Sequence, residues 1–138
     1  MKSVYVYPPK HMADATLSQA NPVSTTLYTV LDTTKNVRII LIEAHITWAT
    51  TQPTLMDVVV TVDGQSVVFR IANPINATPY EANWIAETAL AALVVTTNNH
   101  YRNRTFLLEG RSVKIEVRIT WATTQPTPLV CRVKYAKY

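Results

Sequence analysis

Few side chains in this 138-residue sequence are spaced for chemistry. The histidines, His11, His45 and His100, form no H-x-H or H-x-x-x-H pair, so a metal site would need distant positions to converge. Cys131 is the single cysteine and makes no internal disulfide; it sits on the apolar parity of its run and reads as a buried, inert thiol. Gly64 and Gly110 are the only glycines, which excludes a glycine-rich phosphate loop, and no G-x-S-x-G elbow occurs. Glu43 and Glu116 are the one carboxylate pair that could flank a glycosidic bond if their strands were neighbours. Outward-facing charges paired with Arg38, Lys114 or Arg118 are the simpler reading. Asp57 and Asp63 lack the acid density of a calcium loop. The sequence therefore predicts no catalytic residue, no metal and no cofactor.

What must be positioned is instead a large apolar content. Apolar residues make up 48% and charged residues 16%, against roughly 25% charged in an ordinary soluble domain. With a net charge of +4, this composition excludes a disordered chain. No apolar run approaches the ~18 residues of a membrane span, and the N-terminal residues lack the apolar core of a secretory signal. The charge is uneven: residues 100–138 carry Arg102, Arg104, Arg111, Lys114, Arg118, Arg132, Lys134 and Lys137 against Glu109 and Glu116. These bases stand singly and read as solvated outer faces of strands, so nucleic acid is not the expected partner.

Alternation is the dominant pattern. Val113 to Trp121 is apolar at every odd position and polar at every even one, a strand with one dry face. Met56 to Val62 alternates and stops at Asp63-Gly64, a tight-hairpin pair, followed by a strand from Gln65 to Ile71. Val37 to Trp48 is apolar on nearly both sides and reads as a central strand. Further strands are expected at Ser3–Tyr7, Thr25–Leu31, Arg104–Leu108 and Leu129–Tyr135. Thr78-Pro79-Tyr80-Glu81 fits a capping box with proline at the first helical position, and Tyr80, Trp84, Ile85, Ala89, Ala92 and Leu93 recur at helical spacing, which predicts one helical excursion over residues 79–92. The expected fold is all-β: a jelly-roll-like antiparallel β-sandwich over residues 24–138, with residues 1–23 as an extended arm.

The segment Ile46 to Thr54, ITWATTQPT, recurs unchanged as Ile119 to Thr127. At the same offset of 73 residues Ile42 matches Ile115, Glu43 matches Glu116, Val58 matches Cys131 and His45 matches Arg118. Two copies of strand, loop, strand suggest an internal pseudo-twofold repeat. On that pattern the third and eighth strands pair, as do the fourth and ninth. Pro53 and Pro126 then mark corners between the sheets, at opposite ends of the barrel, with Trp48 and Trp121 capping the core at each. Twin aromatic platforms for a sugar are the alternative use of these tryptophans.

The run Thr25 to Ile40, with its T-x-Y-T-V strand (Thr26, Tyr28, Thr29, Val30), short polar turn and apolar strand, resembles the opening of small β-sandwich virion proteins of tailed phages and other prokaryotic viruses. Phe106 to Ile115 is similar to their L-x-L-x-x-G-x-x-I strand pair. The resemblance implies a capsid or capsid-decoration protein, made in the host cytoplasm and resident in the virion, whose partners are copies of itself and another virion protein. The arm carries Tyr5, Tyr7, Pro8, Pro9 and His11, which with Arg102 and Arg104 are the candidate partner contacts. It either lies on a neighbouring subunit or folds back on its own sandwich. A carbohydrate-binding module and a small β-sandwich hydrolase are the alternatives.

Overall fold

The computed structural model describes residues 11–83, 109–122, 124–125 and 127–137. They form nine strands: β1 His11–Gln19, β2 Tyr28–Thr33, β3 Val37–Ile46, β4 Leu55–Val62, β5 Gln65–Ala72, β6 Tyr80–Asn83, β7 Glu109–Gly110, β8 Val113–Thr120 and β9 Leu129–Lys137. Two antiparallel sheets result. One runs β1-β9-β3-β6, with β7 also on β3; the other runs β2-β8-β4-β5.

The alternation read in the sequence is what closes the core. In β8, Val113, Ile115, Val117 and Ile119 are fully buried while the residues between them are half-exposed. Met56, Val58, Val60 and Val62 are the buried apolar residues of β4, and Leu129, Cys131 and Val133 those of β9. One cluster joins these to Ile39, Ile42, Ala44 and Ile46 of β3. Each such side chain removed from water contributes about 1.5–3 kcal/mol. The β4–β5 hairpin turns at Asp63 (φ 48°) and Gly64 (φ 82°), both left-handed, as a type I′ turn requires.

The pairing of the repeated segments differs from the expectation. The equivalent strands β3 and β8 lie in different sheets, as do β4 and β9. Each pairs with the other copy's opposite strand: β3 with β9, and β8 with β4. From Leu41 to Ile46 the registers agree position for position; the β3–β9 ladder has a bulge at Ile40 that β4–β8 lacks. Ile42 faces Val133 and its counterpart Ile115 faces Val60; Ile46 faces Leu129 and Ile119 faces Met56; Ala44 faces Cys131 and Val117 faces Val58. Alternation alone cannot choose between these pairings, because both keep every apolar residue inward.

Two further differences concern the segments around this framework. Residues 11–19, inside the region expected to be an arm, form β1 and pair with β9 along its whole length. Tyr80–Asn83, expected as the first helical turn, is a strand on β3. Tyr80 is buried at 3% exposure, and the Thr78 hydroxyl donates to the Asn76 carbonyl instead of capping a helix. The rest of that expected helix, 84–92, and the expected strands at Ser3–Tyr7 and Arg104–Leu108 lie outside the described residues.

Asp57 is the one charged residue buried among the described residues, yet its parity places it on the outer face of its sheet. It faces Arg70 on β5 and Arg118 on β8. Arg70 Nε and Nη2 donate to Oδ1 and Oδ2 at 2.9 and 3.1 Å, and Arg118 Nε donates to Oδ2 at 2.8 Å. The two guanidiniums thus cover the carboxylate and join three strands side to side. Burial alone would raise its pKa, but the hydrogen bonds and charges of Arg70 and Arg118 together hold it below the usual carboxylate range. A carboxyl whose folded pKa is depressed contributes stability that is present above its unfolded pKa and lost as pH falls through the folded value. We expect Asp57→Asn to cost about 1.5–3 kcal/mol in urea unfolding at neutral pH, and the gap from wild type to narrow as pH drops below about 4.

Candidate functional site

The ends of the strands gather four connections at one end of the two sheets. Gln19, Leu129 and Ile46 lie abreast in the first sheet; Thr120, Leu55 and Ala72 lie abreast in the second. The connections 20–27, 47–54, 73–79 and 121–128 therefore share that end. The two ITWATTQPT loops are neighbours there, and not at opposite ends as expected. Contact between them is direct: Gln125, 3% exposed, accepts the amides of Ala49 and Thr50 at 2.7 and 3.0 Å and donates to the Thr51 carbonyl at 2.6 Å. Its counterpart Gln52 is exposed and donates to the carbonyls of Asn73 and Pro74.

The other two connections repeat each other as well. Asn21-Pro22-Val23-Ser24-Thr25-Thr26-Leu27-Tyr28 and Asn73-Pro74-Ile75-Asn76-Ala77-Thr78-Pro79-Tyr80 share Asn, Pro, Thr and Tyr at matching positions. Their backbones match: Asn21 and Asn73 have φ 49° and 48°, and Thr25 and Ala77 have φ 65° and 55°. Their hydrogen bonds match too. The Tyr28 hydroxyl accepts the Val23 amide at 2.9 Å, and the Tyr80 hydroxyl accepts the Ile75 amide at 2.8 Å. Ser24 Oγ accepts the Trp121 amide, and Asn76 Oδ1 accepts the Trp48 amide. The Thr25 amide donates to the Ile119 carbonyl, and the Ala77 amide to the Ile46 carbonyl. A tyrosine five residues on from an N-P-[V/I] turn, present twice, is a signal in the sequence that reading for the longer repeat passes over.

Among the described residues, the four connections at this end carry no charge. None of the four connections contains Asp, Glu, Lys, Arg or His. Three of the four exposed large hydrophobics among the described residues are here: Val23 at 55%, Ile75 at 46% and Leu27 at 40%. Charged residues are what the centres of protein interfaces lack most consistently.

The sequence-derived candidates fall as follows. Trp121 is buried and its indole Nε1 donates to the Pro22 carbonyl at 3.1 Å, so it is no platform for a sugar; Trp48 is half-buried, and Pro53 is buried. Glu43 and Glu116 lie in different sheets, Glu43 opposite Arg132 and Glu81, Glu116 opposite Val59 and Thr29, so they do not flank a common point. Asp63 Oδ1 accepts the amides of Arg111 and Ser112, a fastening at the other end of the sheets. Cys131 is fully buried; desolvation, with the Glu43 charge adding to it, pushes its thiol up to about 12. Among the described residues no three of His, Cys, Asp and Glu are grouped to hold a metal ion, and no helix is long and apolar enough to cross a membrane. His11 pairs with Lys137 through the β1–β9 ladder. Tyr5, Tyr7, Pro8, Pro9, Arg102, Arg104 and Pro126 lie outside the described residues.

Comparison of the chain with protein-family models, curated proteins and solved structures finds no match.

The asymmetry between the two glutamines gives a direct check. Gln125→Ala strands two amides in a part-buried place and is expected to cost about 2 kcal/mol. Gln52→Ala, at the exposed equivalent, is expected to cost about 0.5 kcal/mol or less. Tyr28→Phe and Tyr80→Phe should each cost about 1 kcal/mol. Urea unfolding of the four variants measures all of these.

Proposed function

We propose that the chain is a non-enzymatic structural subunit of a viral particle, a capsid or capsid-decoration protein, acting through contacts with copies of itself and another virion protein. The supporting observation is the strand order. With the two-residue β7 set aside, we read the orders β1-β9-β3-β6 and β2-β8-β4-β5 as those of a jelly roll, an architecture that recurs in viral capsid proteins and lectins. We further read this jelly roll as two equivalent halves, β1 to β4 and β5 to β9, related by a pseudo-twofold axis that exchanges the sheets. The matched registers and the matched tyrosine turns support that reading.

The use of polar groups favours assembly over turnover. The side chains of Asp57 and Gln125 are spent on strands and loops, and the hydroxyls of Tyr28 and Tyr80 and the carboxylate of Asp63 hold backbone amides. A site built for catalysis leaves such groups aimed at a substrate. Loops held in this way suit a lasting contact.

Light scattering of the purified chain tests the reading. A native mass that is a multiple of 15.5 kDa is expected; a monomer at every concentration contradicts it. The arm is tested separately. Deleting residues 1–10 spares β1 and its ladder on β9, so the variant should stay folded and show a lower native mass. Deleting residues 1–23 removes β1 and should lower the unfolding midpoint as well.

A further inference from the structure

We infer that two copies of this chain join by exchanging halves: β1 to β4 of one copy pair with β5 to β9 of the other, giving an intertwined dimer. The inference stands on the strand pairing and not on the reading of the chain as a virion subunit. The first observation is where the ladders run. The Asp63-Gly64 turn divides the chain into a half that carries β1 to β4 and a half that carries β5 to β9. The order β1-β9-β3-β6 then alternates between first and second half at every step, and β2-β8-β4-β5 does the same. All seven ladders among the described residues join one half to the other: β1–β9, β2–β8, β3–β6, β3–β7, β3–β9, β4–β5 and β4–β8.

The side-chain bonds cross in the same way. Asp57 of the first half is held by Arg70 and Arg118 of the second. Gln125 of the second half holds the amides of Ala49 and Thr50 in the first. Ser24 accepts the Trp121 amide, and Asn76 the Trp48 amide. A half by itself has no ladder among the described residues, and strands without partners leave their backbone groups unpaired. Such edges are templates for strands of another chain. What covers each half here is the other half, and a second copy carries an identical one. The exchanged dimer therefore rebuilds all of these contacts, and only the connection between the halves differs.

The second observation is that connection. The halves are linked through two residues, Asp63 at φ 48° and Gly64 at φ 82°. Short hinges of this kind are where exchange between copies begins. No atom lies within 4 Å of a Cβ built on Gly64, so a side chain there strains the backbone of the turn and touches nothing else. That strain disappears when β4 runs on into β5 as extended chain. Asp63 opposes the opening: its Oδ1 accepts the amides of Arg111 and Ser112, and its own amide donates to the Ser112 carbonyl. The closed chain prevails in dilute solution, where the short link keeps the halves at high effective concentration. Exchange gains as the chain concentration rises.

The experiment strains the hinge. Valine at positive φ is an outlier in the turn but suits an extended strand. The parent chain, Gly64→Val, and a chain with about four flexible residues inserted after Gly64 are compared, all carrying Ala44→Cys. Each is unfolded in urea, refolded over a concentration series and sized by light scattering, with circular dichroism to confirm the fold. Ala44 on β3 faces Cys131 on β9, so oxidation links the two halves. The disulfide lies within one chain when the chain is closed and between two chains when halves are exchanged. The expected result is that Gly64→Val forms a dimer of twice 15.5 kDa at about tenfold or more lower concentration than the parent, because the left-handed strain is relieved in both hinges. Its oxidised chains stay together on a denaturing gel, and the inserted residues suppress the dimer. Gly64→Ala, a milder strain at the same place, carries the test if Gly64→Val does not fold. A hinge variant that folds but stays monomeric at every concentration overturns the inference. So does a dimer that is indifferent to the hinge, or one whose oxidised chains separate on the gel. Those outcomes leave the assembly reading standing, since native chains also associate through their surfaces.

Discussion

The constraint on which this structure depends is the crossed pairing of its duplicated segments. β3 does not pair with its own counterpart β8; it pairs with β9, and β8 pairs with β4, in the same register. This arrangement sends each ITWATTQPT segment from one sheet to the other. It puts the two loops side by side, and Gln125 of one holds the backbone of the other. The central strands of both sheets come from these segments, so the core, the corners and the uncharged end all follow from one ladder and its repeat.

The remaining strands complete each sheet in matching registers. β1 lies against β9 as β5 lies against β4: Leu17 faces Cys131 where Phe69 faces Val58, and Ala15 faces Val133 where Val67 faces Val60. The sequences of β1 and β5 have little else in common, and the resemblance survives in register and in the turns that follow. A tyrosine hydroxyl, a left-handed Asn and a left-handed residue four positions on recur in both turns. Left-handed backbone at Thr25 and Ala77 is unfavourable for residues with a Cβ; it is held by amides that donate to strand carbonyls of the opposite repeat.

Much of the framework is legible in the sequence because burial there follows parity. β4, β5, β8 and β9 announce themselves by alternation, and Asp63-Gly64 by its turn chemistry. β1 does not, because its inward residues are Ala13, Ala15, Leu17 and Gln19, too small and too polar to make an apolar period. Tyr80 belongs equally to a helical spacing and to a short strand, and the register on β3 decides it. Asp57 has the parity of an exposed residue. Its burial depends on Arg70 and Arg118 arriving opposite it from two other strands, a long-range fact that no local pattern contains. The place of the repeated loops at one end was hidden for the same reason, since alternation leaves the choice of partner strand open. No part of the uncharged surface stands out in a linear reading, because it is assembled from four separate stretches.

The crossed pairing is tested most directly by oxidative cross-linking to Cys131. The account predicts that Ala44→Cys, directly opposite Cys131 in the β3–β9 ladder, forms an intramolecular disulfide on oxidation in dilute solution. A disulfide from Val58→Cys instead, with Ala44→Cys left unlinked, would contradict it.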